Sequence, residues 1–290
     1  MTPEPGSAQV HVVTDSVSDI PDDMLSRLKI GFVPVTVRFG IEQFKDRVEM
    51  SVRDFLRRLR TSTQVAKTSQ PSPGEFATAF REAAAGGHSV VSIQPSANLS
   101  GTYQAACVAR DVLVRQGLDI EVVDSRSGSM GQGWAAIEAA RAALEGCTKA
   151  EVLSRVARVV SRVKLLITVD TLDYIHRNGR IGRAQALLGS LLHIKPILTL
   201  TDGELDAVDK VPGAERVLGR LLHHLQRMVP EGARVRCAVM HADAAERAQQ
   251  LAEALKRLFD VCELLITETG PAIAANVGPG AYGATLYEAT

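Results

Sequence analysis

The segment SVVSIQPSANLSGTYQAACVARDVLVRQGLDIEVVD, from Ser89 to Asp124, decides the fold, because it contains a strand, a polar loop, a helix and a second strand in that order. Ser89 to Gln94 and Ile120 to Asp124 are short runs rich in β-branched residues, which predict buried strands. Thr102 to Arg115 between them predicts a helix. A helix that connects two buried strands favours a parallel sheet.

The same alternation extends outward from this unit in both directions. Gln9 to Thr14 and Phe32 to Val37 predict further strands. Further helices are predicted over 22–29, 51–60, 76–85, 133–144 and 150–163. Strands that alternate with helices of about 10–15 residues predict an N-terminal α/β domain, a parallel sheet with helices on both faces, over residues 9–163. Residues 1–8, which are polar and contain Pro and Gly, predict a disordered tail.

Residues 164–290 show a different pattern, in which strands and hairpins dominate. Asp202-Gly203 stands between two apolar runs and predicts a tight hairpin turn, since Gly accepts the positive φ that such a turn needs. Long helices are predicted over 215–228 and 244–259, and strands over 165–170, 196–200, 205–210, 234–240, 263–268 and 284–287. We expect a C-terminal α+β domain with a largely antiparallel sheet.

Composition argues against several classes of function. The 290 residues carry 33 basic and 33 acidic side chains, so the formal net charge is zero. The charge balance therefore gives no sign of binding to nucleic acid or to an acidic membrane surface. We find neither a signal peptide nor an apolar run of about 18 residues, and we expect a cytoplasmic protein with at most transient membrane contact. The four cysteines match no zinc or redox spacing and predict buried, reduced thiols.

The loops that follow the N-terminal strands are rich in hydroxyl groups. In an open α/β sheet such loops meet at the carboxyl ends of the strands, where ligands bind, and amides at helix starts point into the same crevice. The alternative is structural, because Ser and Thr are preferred helix N-caps and Ser72-Pro73-Gly74-Glu75 resembles a capping box. The hydroxyls belong to Thr14 and Ser16, to Thr68, Ser69 and Ser72, to Ser96, Ser100 and Thr102, and to Ser125, Ser127 and Ser129.

Signals for catalysis are weaker. The segments GQGWAA from Gly131 and GPGAYG from Gly278 match a dinucleotide-binding pattern, but the first is separated from its strand. The second lies too close to the chain end for a βαβ unit and is interpreted as a tight loop. The adjacent His223 and His224 point in different directions on a helix and predict no metal site. Asp15 and Asp124 end strands and could form a carboxylate pair or hold loop amides.

A basic turn, RNGRIGR from Arg177 to Arg183, is either a solvated loop or an arginine directed at an anion. An apolar stretch follows it. Most of this stretch is expected to be core, and some of it could line an acyl channel. The stretch comprises Leu187, Leu188, Leu191, Leu192, Ile194, Ile197 and Leu198.

Taken together, these segments resemble the DegV family in family order over almost the whole chain. The matching segments are VVTDSVSDIP from Val12, TSQPSPGEF from Thr68, SANLSGTYQAA from Ser96, VDSRSGSMGQG from Val123, LDYIHRNGRIG from Leu172, IKPIL from Ile194 and GPGAYG from Gly278.

The resemblance implies a non-catalytic carrier that holds one long-chain fatty acid, such as palmitate, stearate or oleate, between two domains. Family members that work with a fatty acid kinase present the bound carboxylate for phosphorylation and hold the acyl phosphate. By matching motifs, Thr68 and Ser100, then Ser69 and Ser96, would bind the carboxylate, and Arg180 would face the carboxylate or the phosphate. Neither a metal nor another cofactor is implied.

The chain departs from the family pattern at two places. Asn276 stands where many members have His before the Val-Gly-Pro-Gly loop; Asn can donate a hydrogen bond but cannot carry a proton. Residues 212–216, PGAER, replace a basic cluster that often follows in kinase-coupled members, so docking of a kinase is expected to differ or to be absent. Two other functions stay open: a small-molecule hydrolase or transferase that uses Asp15 and Ser16, and a lipid-responsive regulatory protein.

Overall fold

The structure is a computed structural model that describes residues 9–187 and 194–289. The predicted tail over residues 1–8 and the apolar residues Leu188, Leu191 and Leu192 lie outside the described ranges. The chain divides into two compact units. The first unit comprises Met1–Thr36 and Ser69–Ser161, and the second comprises Val37–Thr68 and Arg162–Thr290.

The secondary structure alternates between strands and helices in the first half and is richer in strands in the second. The strands are β1 (Val10–Asp15), β2 (Gly31–Val33), β3 (Thr36–Phe39), β4 (Glu42–Lys45), β5 (Ala66–Ser69), β6 (Ser89–Gln94), β7 (Ile120–Asp124), β8 (Lys164–Thr168), β9 (Ile194–Thr201), β10 (Glu204–Pro212), β11 (Arg234–His241), β12 (Asp260–Glu268) and β13 (Tyr282–Glu288). The helices are α1 (Asp22–Arg27), α2 (Val52–Thr61), α3 (Pro73–Ala83), α4 (Thr102–Val114), α5 (Met130–Leu144), α6 (Lys149–Arg162), α7 (Asp173–Arg177), α8 (Val217–Met228), α9 (Ala245–Leu258) and α10 (Pro271–Val277).

The first unit contains a parallel four-stranded sheet in the order β2-β1-β6-β7. Successive residues of a strand face opposite sides of the sheet. On one face, Val13 packs in a core cluster with Phe76 and Phe80 of α3. On the other face, the hydroxyl of the next residue, Thr14, accepts a hydrogen bond from the side chain of Gln132 in α5. Helices therefore cover both faces, and the predicted α/β domain with a parallel sheet is confirmed.

The second unit contains a six-stranded sheet in the order β10-β9-β8-β13-β11-β12. Its neighbouring strands are antiparallel except for β11 and β12, so the prediction of a largely antiparallel sheet is also confirmed. Asp202 and Gly203 form the predicted hairpin turn, with φ values of 53° and 78°. Helices α8 and α9 pack against this sheet around buried side chains that include Leu221, Leu225 and Leu251.

Residues 37–68 differ from the sequence expectation, which placed them in the N-terminal domain of residues 9–163. They form a separate three-stranded sheet, β4-β3-β5, and the helix α2, and they belong to the second unit. Phe39 packs against Phe55 of α2, and Arg60 of α2 forms an ion pair with Asp243. The local sequence pattern does not show which unit these strands join, because contacts with residues distant in sequence determine it.

Two further features differ from expectation. Helix α10 lies within a segment for which the sequence predicted only a tight loop at Gly278. Cys262 is exposed rather than buried, because the register of β12 against β11 shifts at this position and leaves Cys262 outside the pairing. Cys107 and Cys237 are buried as expected, Cys147 is half-buried, and all four are free thiols.

Candidate functional site

The hydroxyl-rich loops of the first unit lie together at one edge of its sheet. Strands β1, β6 and β7 are parallel, so the loops that follow them leave from the same edge. The amide of Ser96, after β6, donates to the carbonyl of Ser127, after β7, at 2.8 Å. The amide of Ser125 donates to the carbonyl of Gln94 at 3.0 Å. The loops after β6 and β7 are therefore joined directly through their main chains.

Ser96 and Ser100 are brought together in one turn. The carbonyl of Ser96 accepts the amides of Leu99 and Ser100, each at 3.0 Å. The Ser100 hydroxyl accepts the amide of Thr102 at 3.2 Å and lies 2.8 Å from the Thr102 hydroxyl. Only one of these two hydroxyls donates to the other, so the pair keeps one O–H group that can donate to a ligand.

Ser69 also belongs to the first unit, and the next residue, Gln70, lies close to the turn that contains Ser96 and Ser100. A Cβ atom on Gly101 would come within 2.7 Å of Nε2 of Gln70, which shows how closely the two loops meet. Thr68 is assigned to the second unit, one residue before the chain re-enters the first. The hydroxyls of Thr68 and Ser69 make no side-chain hydrogen bond to any residue that the structure describes. They could therefore serve a ligand without breaking an existing bond.

Gln132 supports this edge of the sheet, and sequence reasoning missed it. It is fully buried, and its Nε2 donates to the Thr14 hydroxyl at 2.9 Å, to Oδ1 of Asp15 at 2.8 Å and to the Ile93 carbonyl at 3.2 Å. A Cβ on Gly133 would lie 2.7 Å from the Ser18 carbonyl, so only glycine lets α5 pack this closely. The GQG segment thus lies inside α5 and anchors the β1 loop. The available signal was a Gln between two glycines in the apolar first half of the helix, before Glu138 and Arg141.

The two strand-end carboxylates hold loop amides. Oδ1 of Asp15 accepts the amide of Val17 at 3.1 Å, and Oδ1 of Asp124 accepts the amide of Arg126 at 2.7 Å. Ser16, which the hydrolase or transferase hypothesis uses, is fully buried, and its Oγ accepts the amide of Val35 at 3.0 Å. This geometry favours a supporting role for Asp15, Ser16 and Asp124.

Arg180 and Asn276 belong to the second unit, and both are connected to Asn178. Nδ2 of Asn178 donates to the Ala275 carbonyl at 2.9 Å, next to Asn276, and Nη1 of Arg180 donates to the Asn178 carbonyl. The basic turn is therefore an ordered structure attached to α10. Sequence reasoning selected Arg180 and Asn276 but gave Asn178 no role.

Asn276 uses its side-chain donor within its own helix. Its Nδ2 donates to the Ala272 carbonyl at 2.8 Å, and its Oδ1 is buried with no hydrogen-bond partner among the described residues. This bond distinguishes Nδ2 from Oδ1, because the atom of Asn276 that faces the Ala272 carbonyl must be the donor. Asn276 can therefore donate to a ligand oxygen, as the sequence predicted, only after its side chain leaves this position.

The loop after α10 is tight, as predicted. Gly278 and Gly280 have φ values of 74° and 86°, and side chains there would collide with Tyr174 and Asp170. Asp170 accepts from Lys195 at 2.8 Å and from Arg247 at 3.3 Å, and Arg247 also donates to the Gly280 carbonyl at 3.3 Å. This ionic network fixes the loop against β8 and α9.

The described part of the apolar stretch is mainly core. Leu187, Ile197 and Leu198 are buried, and Ile197 packs with the sheet and helices of the second unit. Within the described ranges, no three side chains of His, Cys, Asp or Glu gather where they could hold a metal ion. No described helix has both the length and the apolar character needed to cross a membrane.

Comparisons with known proteins agree with this fold. The family model described as "Uncharacterised protein, DegV family" matches residues 9–289. A DegV domain-containing protein of Streptomyces coelicolor is 37% identical over 283 residues, which cover 97% of this chain and 99% of that protein. A solved structure on fatty acid binding of a DegV family protein from Thermus thermophilus has a TM-score of 0.91 at 32% identity and covers 97% of this chain and 100% of that one. DegV of Bacillus subtilis, described as a fatty acid binding protein, has a TM-score of 0.87 at 28% identity, with 98% and 100% covered.

Proposed function

Since the chain belongs to the DegV family, we propose that it binds a single long-chain fatty acid and acts as a carrier rather than an enzyme. The observation that carries this proposal is the full-length similarity to the Thermus thermophilus protein, whose solved structure concerns fatty acid binding. The hydroxyl-rich edge of the first unit supports the proposal, because it offers donors for a carboxylate.

The chemistry of these donors suits a fatty acid head group. A carboxylate that leaves water is costly unless its oxygens are hydrogen-bonded. Each hydrogen bond from a hydroxyl to a charged oxygen contributes about 1.5–3 kcal/mol. Burial of the acyl chain contributes about 0.8 kcal/mol for each methylene. The tail therefore supplies most of the affinity, and the head group sets the orientation.

Thr68 and Ser100 are the first candidates to bind the carboxylate, with Ser69 and Ser96 as further contacts. The open hydroxyls of Thr68 and Ser69 and the spare O–H of the Ser100–Thr102 pair support this assignment. We assign Arg180 and Asn276 to a carboxylate or phosphate oxygen, Asn276 after its side chain leaves the bond to the Ala272 carbonyl. The expected ligands are long-chain fatty acids such as palmitate, stearate or oleate.

The carrier would present its fatty acid to a kinase subunit in the cytoplasm and hold the acyl phosphate that forms. One substitution tests this step. Asn276→His should change the rate of acyl-phosphate formation by a fatty acid kinase more than it changes fatty-acid affinity, because imidazole can carry a proton and an amide cannot. The reverse result would assign position 276 to recognition of the acid itself.

Native mass spectrometry of the purified protein, followed by solvent extraction, tests the binding function. One fatty acid per chain in the native mass, released on denaturation, is the expected result, and the extract gives its chain length. A protein that is free of lipid and takes up neither palmitate nor oleate would contradict the proposal. A fatty alcohol of equal length should bind more weakly, since it cannot use the hydroxyl donors as a carboxylate does.

A further inference from the structure

We propose that Asn178 is a positioning residue that fixes Arg180 and the end of α10, which carries Asn276, relative to each other. This inference rests on the fatty-acid-binding function proposed above, because it assigns the head-group end of the same site. Asn178 has no role in that proposal itself. Three connections in the second unit hold these groups in place: at the end of α7, at the end of α10 and at the Arg180 guanidinium.

The end of α7 determines where the main chain of Arg180 lies. The amide of Gly179 donates to the His176 carbonyl at 2.9 Å, and the amide of Arg180 donates to the Ile175 carbonyl at 3.0 Å. These two bonds, with Gly179 at a φ of 72°, form the Schellman motif that ends many helices. Asn178 is the C-cap of this helix, so the motif also fixes its backbone.

The end of α10 needs a donor that the main chain does not supply. The amide of Gly278 donates to the Ala274 carbonyl at 2.9 Å, and the chain then turns away at Gly278. The next residue is Pro279, which has no N–H group, so the Ala275 carbonyl has no main-chain donor at i+4. Nδ2 of Asn178 donates to this carbonyl at 2.9 Å. The last turn of α10 is therefore attached to the end of α7 by this side chain.

The third connection is the bond from Nη1 of Arg180 to the Asn178 carbonyl. A cationic side chain at a helix C-terminus also interacts favourably with the last carbonyl groups. Asn178 thus binds the guanidinium through its main chain and the neighbour of Asn276 through its side chain. Its side chain is only 8% exposed, so it has little room for another rotamer.

A purely structural role for Asn178 would have a different consequence. A side chain that only caps α10 would change stability, and affinity for acid and alcohol ligands would fall together or not at all. A side chain that positions Arg180 and Asn276 would change recognition of the charged head group specifically. The ratio of affinities for a fatty acid and a fatty alcohol of equal length separates the two roles.

The experiment compares palmitate with 1-hexadecanol on four proteins. Asn178→Ala removes the donor, and Asn178→Leu removes it while keeping a branched side chain of similar size. Thr199→Val is the matched control, because it removes one side-chain bond of the second unit, from Thr199 to the Leu165 carbonyl at 2.7 Å, away from Asn178 in sequence. Dissociation constants and thermal unfolding are measured for each variant and for the wild type.

We expect both Asn178 variants to lose about tenfold in palmitate affinity, the size of one charge-assisted hydrogen bond, with hexadecanol affinity within about twofold of wild type. Thr199→Val should lower thermal stability and leave the ratio of the two affinities unchanged. An unchanged ratio in folded Asn178 variants, or an equal fall in Thr199→Val, would overturn the positioning role. A wild-type protein that binds neither ligand would instead overturn the proposed function.

Discussion

Gln132 and Thr14 are 118 positions apart in sequence, yet the side-chain amide of Gln132 donates to the Thr14 hydroxyl at 2.9 Å in a fully buried environment. The Thr14 hydroxyl in turn donates a hydrogen bond to the Ile93 carbonyl at 2.9 Å. One buried side chain of α5 therefore connects the ends of β1 and β6, from which two hydroxyl-rich loops leave. The geometry of the candidate site depends on this connection.

Replacement of Gln132 should destabilise the protein substantially. Gln132→Met keeps the size of the side chain but leaves Thr14, Asp15 and Ile93 each without one hydrogen bond. We expect the free energy of unfolding to fall by about 1–3 kcal/mol, the cost of leaving buried polar groups unsatisfied. Urea denaturation measures the change. Gln104→Met, at an exposed position of α4, is the control.

A loss below about 0.5 kcal/mol, which is typical of surface substitutions, would contradict this role for Gln132. A loss of similar size in Gln104→Met would show that introducing methionine, rather than the removal of the buried amide, is responsible.

The sequence predicts the elements whose signals are local. Ser89–Gln94 and Ile120–Asp124 have the predicted bounds, and Ser72 and Glu75 form the predicted capping box. The remaining features depend on distant contacts. Residues 37–68 have ordinary strand and helix patterns, and only their packing against the second unit decides where they belong. The partners of Gln132 and Asn178 come from other elements, so no local spacing reveals them.

Removal of the candidate carboxylate donors should weaken binding of the acid selectively. Thr68→Ala combined with Ser100→Ala removes hydroxyls that can donate to a charged oxygen. We expect palmitate affinity to fall by about tenfold or more, because each such bond contributes about 1.5–3 kcal/mol. Hexadecanol affinity should change much less. Isothermal titration calorimetry provides both constants.

Ser72→Ala is the control for the hydroxyl substitutions. Its hydroxyl accepts the amide of Glu75 at 3.2 Å as the N-cap of α3, so the variant should lose about 0.5–2 kcal/mol of stability and keep its affinity. Unchanged palmitate affinity in the Thr68 and Ser100 double variant would remove both residues from the site.

Acid should destabilise the first unit through His11. Burial, together with His88 and Lys29, lowers the pKa of His11 below its ordinary value of 6.5. Between the lowered pKa and about 6.5, the unfolded chain binds more protons than the folded one, so stability rises with pH across this window and is lost as pH falls through it. His11→Phe keeps a ring to stack on His88, whose centroid lies 4.5 Å away, and removes the titration.

The free energy of unfolding of His11→Phe should therefore fall less than that of wild type between pH 7 and pH 5. Burial also lowers the pKa of His241, so part of the acid sensitivity should remain in this variant. Identical pH profiles for wild type and His11→Phe would show that His11 does not contribute.

The two cysteines of β11 and β12 should differ strongly in reactivity. Burial raises the pKa of Cys237 to about 12, so almost none of its thiol is ionised at pH 8, and the side chain is also inaccessible. Cys262 is exposed at the β12 edge, where its Sγ lies 3.3 Å from the Val235 carbonyl.

Iodoacetamide at pH 8 should therefore modify Cys262 in the native protein and reach Cys237 only after unfolding, as read by mass mapping of the two peptides. Cys262→Ser should abolish the modification of this strand and leave Cys237 protected. Modification of native Cys237 at a rate near that of Cys262 would show that β12 separates from β11 without global unfolding.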